Sequence, residues 1–216
     1  MTWHERAEAA IARYRGGETR GADQRQLTQL GNAAWAAGLS FLMDGRDDES
    51  RTWLRRAAER YRESWRDAPP NSWGRPIASI KALLLAGDDA TAAARWALEA
   101  GAPDAESPVG RYAGTLAHLV LGDDAAAAAL AGTLRGREEF PSDVADALVA
   151  LAGADGSGYA RAVEAILESF EVRSDFLEDV PVADTVLVLQ ALASRRGVAA
   201  ELRASALLPD ACRVAR

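Results

Sequence analysis

The chain is nearly devoid of the residues that most often carry chemistry. Of its 216 residues only one is cysteine, two are histidine and two are methionine, and the single lysine is Lys81. A lone thiol, Cys212, cannot close an internal disulfide or build a thiolate cluster, which fits a reducing compartment and predicts a cytoplasmic protein. His4 and His118 stand far apart, with no second nitrogen or sulfur ligand beside either. The segment Trp3-His4-Glu5-Arg6 is not the His-Glu-x-x-His of zinc enzymes, and His118, among Leu116, Leu119 and Val120, reads as a helix histidine. No run approaches the roughly 20 apolar residues that span a bilayer, and the first residues enter an amphipathic pattern without an apolar signal segment. No metal, no cofactor and no membrane association are expected.

What the chain has in quantity is alanine, arginine and carboxylate. About half of the residues are apolar, and alanine, the best helix former, dominates them, which favours closely packed helices over a sheet. The net charge of −7 is unevenly placed. Residues 1–67 carry twelve arginines against eleven carboxylates, whereas residues 68–216 carry thirteen cations against twenty-one. An acidic C-terminal two-thirds repels phosphate backbones and argues against nucleic acid; a basic protein partner suits it better.

The pattern of apolar residues predicts about ten helices. Thr2-Trp3-His4-Glu5 has capping-box spacing and opens a helix to about Arg15. After Gly16-Gly17 and a polar linker, a long helix is expected over 23–43, then one over 47–66 with three carboxylates in its first turn. Pro69-Pro70 breaks the chain. Further helices are expected over 75–86, after Gly87, and over 108–121, 123–134, 142–152, 157–172 and 182–195. Leu207-Leu208-Pro209 should dock on the last helix.

A turn recurs along the chain. Leu84-Leu85-Ala86-Gly87-Asp88-Asp89 matches Leu119-Val120-Leu121-Gly122-Asp123-Asp124. Phe41-Leu42-Met43-Asp44-Gly45 is a looser copy, and Leu151-Ala152-Gly153 a worn fourth. In each, an apolar helix ends at glycine and acids cap the next helix. The spacings bracket those of helix-pair repeats. Around Gly45, the residues Gly38, Phe41, Leu54 and Ala57 fall where tetratricopeptide repeats place their small and large packing positions. The expected fold is therefore all-α, a tetratricopeptide-like array of stacked antiparallel helix pairs in one domain, with a sub-division into an Arg/Trp-rich part (1–68) and acidic repeats (69–216) as the alternative.

No catalytic constellation emerges. Gly153-Ala-Asp-Gly156-Ser-Gly158 precedes a helix but lacks the strand and the Lys-Ser/Thr of nucleotide loops. Ser157 lacks a nucleophile elbow, and Cys212 has no nearby histidine. The pairs Asp88-Asp89 and Asp123-Asp124 read as helix caps.

Two clusters stand out. The first places Glu168, Glu171, Asp175, Glu178, Asp179 and Asp184 around one junction, interleaved with Phe170, Phe176 and Leu177. It is either a solvated face over inward-packed aromatics or an acidic surface for a cationic partner, with Glu171, Asp175, Glu178, Asp179 and Asp184 as the contact residues. The second is Trp73, Arg75, Arg95 and Trp96. Core packing is its default reading; a pocket for a small anion, with arginine pairing the ligand and indoles as walls, is the alternative.

The Arg95-Trp96 pair, the stretch Val186-Leu-Val-Leu-Gln-Ala-Leu-Ala193, then Arg196-Gly197 and Ser205-Ala-Leu-Leu208-Pro209 resemble the immunity protein 49 family of bacterial polymorphic toxin systems. The resemblance covers about a third of the chain. It implies an all-helical cytoplasmic protein that binds and neutralises a cognate toxin without catalysis, and the acidic surface would suit a basic toxin. A non-enzymatic protein-binding module is thus the leading expectation. A helical small-anion-binding protein or enzyme and a structural homo-oligomer, such as a homodimer, are the competing ones.

Overall fold

The computed structural model describes residues 1–18 and 21–210. Cys212 and part of the linker between the first two helices lie outside them. Among the described residues there are ten α-helices and no strand: α1 (Trp3–Gly17), α2 (Gln24–Met43), α3 (Asp47–Ser64), α4 (Gly74–Leu85), α5 (Thr91–Glu99), α6 (Pro108–Leu121), α7 (Asp124–Gly132), α8 (Ser142–Ala152), α9 (Gly156–Glu171) and α10 (Asp184–Arg195). The array is all-α, as the sequence predicts.

The helix starts follow local chemistry. Thr2 Oγ1 accepts from the Glu5 amide at 3.2 Å while the Glu5 carboxylate accepts from the Thr2 amide at 2.7 Å, a complete capping box. Asp23 and Gln26 repeat the device at α2. Ser107, Asp123 and Asp155 cap α6, α7 and α9.

The recurring turns differ in how they work. Gly45, Gly87 and Gly122 all take left-handed φ, the conformation that ends a helix without a Cβ penalty. In the worn fourth copy the left-handed residue is Ala154 instead, one position after Gly153. The acids after the glycines are also not simply caps. Asp89 accepts from the Thr91 amide at 2.8 Å, but Asp88 is taken by Arg55 of α3, at 2.5 and 2.7 Å. Asp123 caps α7, whereas Asp124 pairs with Arg196 at 2.6 Å.

Successive helices pack on one another, most extensively α2 on α3, α1 on α2 and α3 on α4. Close approach of α2 and α3 depends on glycine: a Cβ on Gly38 would stand 2.7 Å from Leu54 Cγ, and one on Gly31 would stand 2.9 Å from the Tyr61 ring. Ser50 Oγ donates to the Gly38 carbonyl at 2.8 Å across the same contact. Gly38 and Leu54, two of the positions that the tetratricopeptide comparison singles out, meet across this contact.

The end of the chain departs from simple stacking. α10 packs against α4 on one side and α8 and α9 on the other. Val186, Leu187, Val188 and Leu189 are four consecutive buried residues, so the helix has no solvent stripe there and serves as core for its neighbours. One continuous core runs from Ala7 to Leu208.

Long-range polar contacts lock α10 in place. Lys81 of α4 meets Asp184 at its start, and at its end Arg196 donates to the Leu119 carbonyl and to Asp124, both at 2.6 Å. Gln190 clamps the following segment: its side chain donates to the Ala200 carbonyl at 2.7 Å and accepts from the Ala200 amide at 3.1 Å and from the Tyr159 hydroxyl at 2.9 Å. Leu208 is buried, and the Leu207 carbonyl accepts from the Ala183 amide at 3.0 Å, so this part of the tail docks beside α10 as expected.

Candidate protein-binding surface

The acidic junction is a strap, residues 172–183, that carries the chain from α9 back across α1 and α2 to α10. The last turn of α9 carries Phe170, which packs against Phe176 with ring centroids 6.3 Å apart and is capped by the Arg173 guanidinium at 3.7 Å. Aromatic and cation contacts therefore hold the base of the strap. Further along, Arg6 donates to the Asp179 carbonyl at 2.5 Å and Arg13 pairs with Glu178 at 3.1 Å, so α1 fastens the strap from the opposite end of the sequence.

Glu178 and Asp179 both have φ near +57°, the one pair of consecutive non-glycine left-handed residues among the described residues. Such backbone costs on the order of 1–3 kcal/mol per residue and persists where surrounding contacts impose it. The strap also carries two of the most exposed apolar side chains in the structure: Val172 is 86% and Leu177 55% exposed.

The six carboxylates do not form one uniform face. Glu171 accepts a two-pronged pair from Arg203, at 2.9 and 2.6 Å, and a third bond from Ser205 at 2.7 Å. Arg203, followed by Ser205, holds the Glu171 carboxyl below its ordinary range. Glu178 is bound by Arg13 and Asp184 by Lys81. Asp179 contributes its backbone carbonyl to Arg6. Asp175 is exposed and bonds only its neighbour Ser174, at 3.1 Å, while exposed Glu168 has no ion-pair partner among the described residues. Three of the five expected contact residues are thus tied to the chain's own cations, while the exposed carboxylates of Asp175 and Asp179 form no ion pair among the described residues.

The aromatic–arginine cluster is likewise divided. Trp73 and Trp96 are both buried and both pack on a third indole, Trp65, with centroids 5.8 and 5.6 Å away. Trp73 also lies close against Gly110, where a Cβ would stand 2.9 Å from the indole nitrogen. Arg75 turns to Ser64, at 2.9 Å, and to Gln24, and burial lowers its pKa. Arg95 is exposed on α5. The guanidinium that does meet an indole is Arg62, 4.3 Å above Trp96. Trp65 and Arg62 sit one helical turn apart on α3, a spacing visible in the sequence, but nothing local indicates that they meet residues some thirty positions later.

Among the described residues no group of three or more histidine, cysteine, aspartate or glutamate side chains is placed to hold a metal ion. Among the described residues no helix is long and apolar enough to cross a membrane. A comparison with protein-family models, curated proteins and solved structures finds no match to this chain.

Proposed function

We propose that this chain is a non-catalytic protein-binding module whose partner docks on the 172–183 strap, and that in its most specific form it neutralises a basic toxin as an immunity protein. The observation that carries the reading is the exposure of Val172 and Leu177 on the strap, Leu177 standing beside the left-handed pair Glu178–Asp179 that Arg13 and Arg6 hold. Exposed apolar side chains on a rigid support lose little conformational entropy on docking, which favours tight association. Asp175 and Glu168 beside them, on a chain of net charge −7, add attraction for a cationic surface and speed encounter.

The resemblance to the immunity protein 49 family supplies the toxin-neutralising form of this reading. The test is co-expression with the product of the adjoining gene. Protection from growth arrest, lost on substitution of Val172→Asp and Leu177→Asp in a chain of unchanged melting temperature, is the expected outcome. Stoichiometric capture that ignores both substitutions would remove the strap as the docking surface.

A further inference from the structure

A cavity lies away from the strap, where the C-terminal ends of α2 and α4 meet α10 and the tail. Its volume is about 840 Å³, within the roughly 300–1,000 Å³ of ligand sites. The floor is apolar, with buried Met43, Leu84, Leu187 and Leu202. The rim carries Asp44, Asp47, Glu201 and Asp210, and no described cationic residue lines it. Asp44, Asp47 and Glu201 have no ion-pair partner among the described residues. Among the described lining residues an apolar floor and a carboxylate rim therefore stand side by side.

We propose that this cavity receives a short protein segment that carries arginine or lysine beside apolar residues. The cationic heads would meet the carboxylate rim, while their alkyl stems and the apolar neighbours cover the leucine and methionine floor. An anionic or purely apolar occupant would leave one half of this chemistry unmatched. The inference rests on the reading of the chain as a protein-binding module and adds a second contact region to it.

The chain carries its own reporter. It has two methionines, Met43 on the cavity floor and Met1, which is 81% exposed. With ¹³C-methyl-labelled methionine, titration of the full chain with the peptide acetyl-Leu-Arg-Leu-Arg-Leu-amide should shift the Met43 methyl resonance and leave that of Met1 in place. The affinity should fall roughly five-fold as salt rises from about 50 to about 500 mM, and roughly ten-fold in a D44N/D47N/E201Q variant of unchanged melting temperature. No Met43 shift, or an equal shift from the corresponding glutamate peptide, would overturn the proposal. Equal affinity for hexylammonium would assign the cavity to a small organic cation and overturn it as well. So would binding that appears only when Arg213 and Arg216, which follow in the sequence, are replaced by glutamine. V172D/L177D should leave the Met43 titration unchanged, so failure here and failure of the strap are separable.

Discussion

Lys81, the only lysine in the chain, reaches Asp184 across 103 positions of sequence, Nζ to Oδ2 at 2.5 Å. Both side chains are largely withdrawn from water, 12% and 21% exposed, and the ammonium also faces Trp35 at 5.7 Å. Asp184 is the first residue of α10, where a carboxylate complements the helix dipole. The pair therefore fixes where the central helix begins.

Removing one partner should cost more than removing both. K81M leaves the Asp184 carboxylate half-buried without its cation, and D184L leaves the ammonium in the same state. Each should lower stability by about 2 kcal/mol, the scale for hydrogen bonds to charged groups. The double variant K81M/D184L should regain part of that loss, because an apolar pair needs no counterion. Urea denaturation of the four proteins checks this; additive losses would show that the two residues act independently.

Gly38 tests the close approach of α2 and α3. Glycine-to-alanine changes inside helices ordinarily stabilise, by up to about 1 kcal/mol. At Gly38 the sign should reverse. The new Cβ would stand 2.7 Å from Leu54 Cγ and 3.1 Å from the Leu54 amide nitrogen, and the backbone contact cannot yield by a rotamer change. Overpacking of this kind costs about 1–3 kcal/mol. Gly132, at the end of α7 with open space around it, is the control: G132A should be neutral or stabilising by about 0.5 kcal/mol. Thermal melts of the two variants should move in opposite directions.

What was legible in the sequence is what short-range chemistry decides. Capping at Thr2, Asp23, Ser107 and Asp123 and the left-handed glycines at 45, 87 and 122 follow from spacing within one or two turns of chain. The course of α10 was not. The run Val186-Leu-Val-Leu has no helical stripe, and that signal marks a buried helix without saying which helices surround it. The acidic junction was legible as a cluster but not as a surface. Its outcome depends on Arg6, Arg13, Lys81 and Arg203, which lie between about 32 and 173 positions away from their partners. In a chain with so many arginines, no local pattern distinguishes those four from the rest.

Arg196 should be the least replaceable arginine. It is 12% exposed at the side chain and donates to two backbone carbonyls, Leu119 at 2.6 Å and Leu192 at 3.3 Å, besides Asp124. It closes the end of α6, the start of α7 and the end of α10 together. R196M should lower stability by about 2–3 kcal/mol, since the carbonyls and the carboxylate each lose a charged donor. R196K should recover little, because a single ammonium cannot reproduce the planar fork. Hydrogen exchange should show the loss concentrated at the C-terminal turn of α10; rescue by lysine would mean that charge alone suffices there.

The Glu171–Arg203 pair should make tail docking pH-dependent. Arg203, and then Ser205, hold the folded-state pKa of Glu171 below its ordinary 4.5. A carboxylate depressed on folding adds stability that is fully present above its unfolded pKa and disappears as pH falls through the folded one. The pair is largely solvent-exposed, so screening limits its worth to about 0.5–1 kcal/mol. E171Q keeps a side chain able to bond Ser205 but removes the charge. At pH 7 it should be less stable than the parent by that amount, and the difference should shrink below about pH 4 as the parent carboxylate takes up its proton. High salt should narrow the gap at neutral pH in the same way. The amides of Leu207 and Leu208, next to Ser205 on the docked tail, are the place to read it: their exchange should quicken in E171Q at pH 7, while that of the buried α10 amides should follow only the global change. An E171Q penalty that persists undiminished in acid would locate the effect in packing instead of charge.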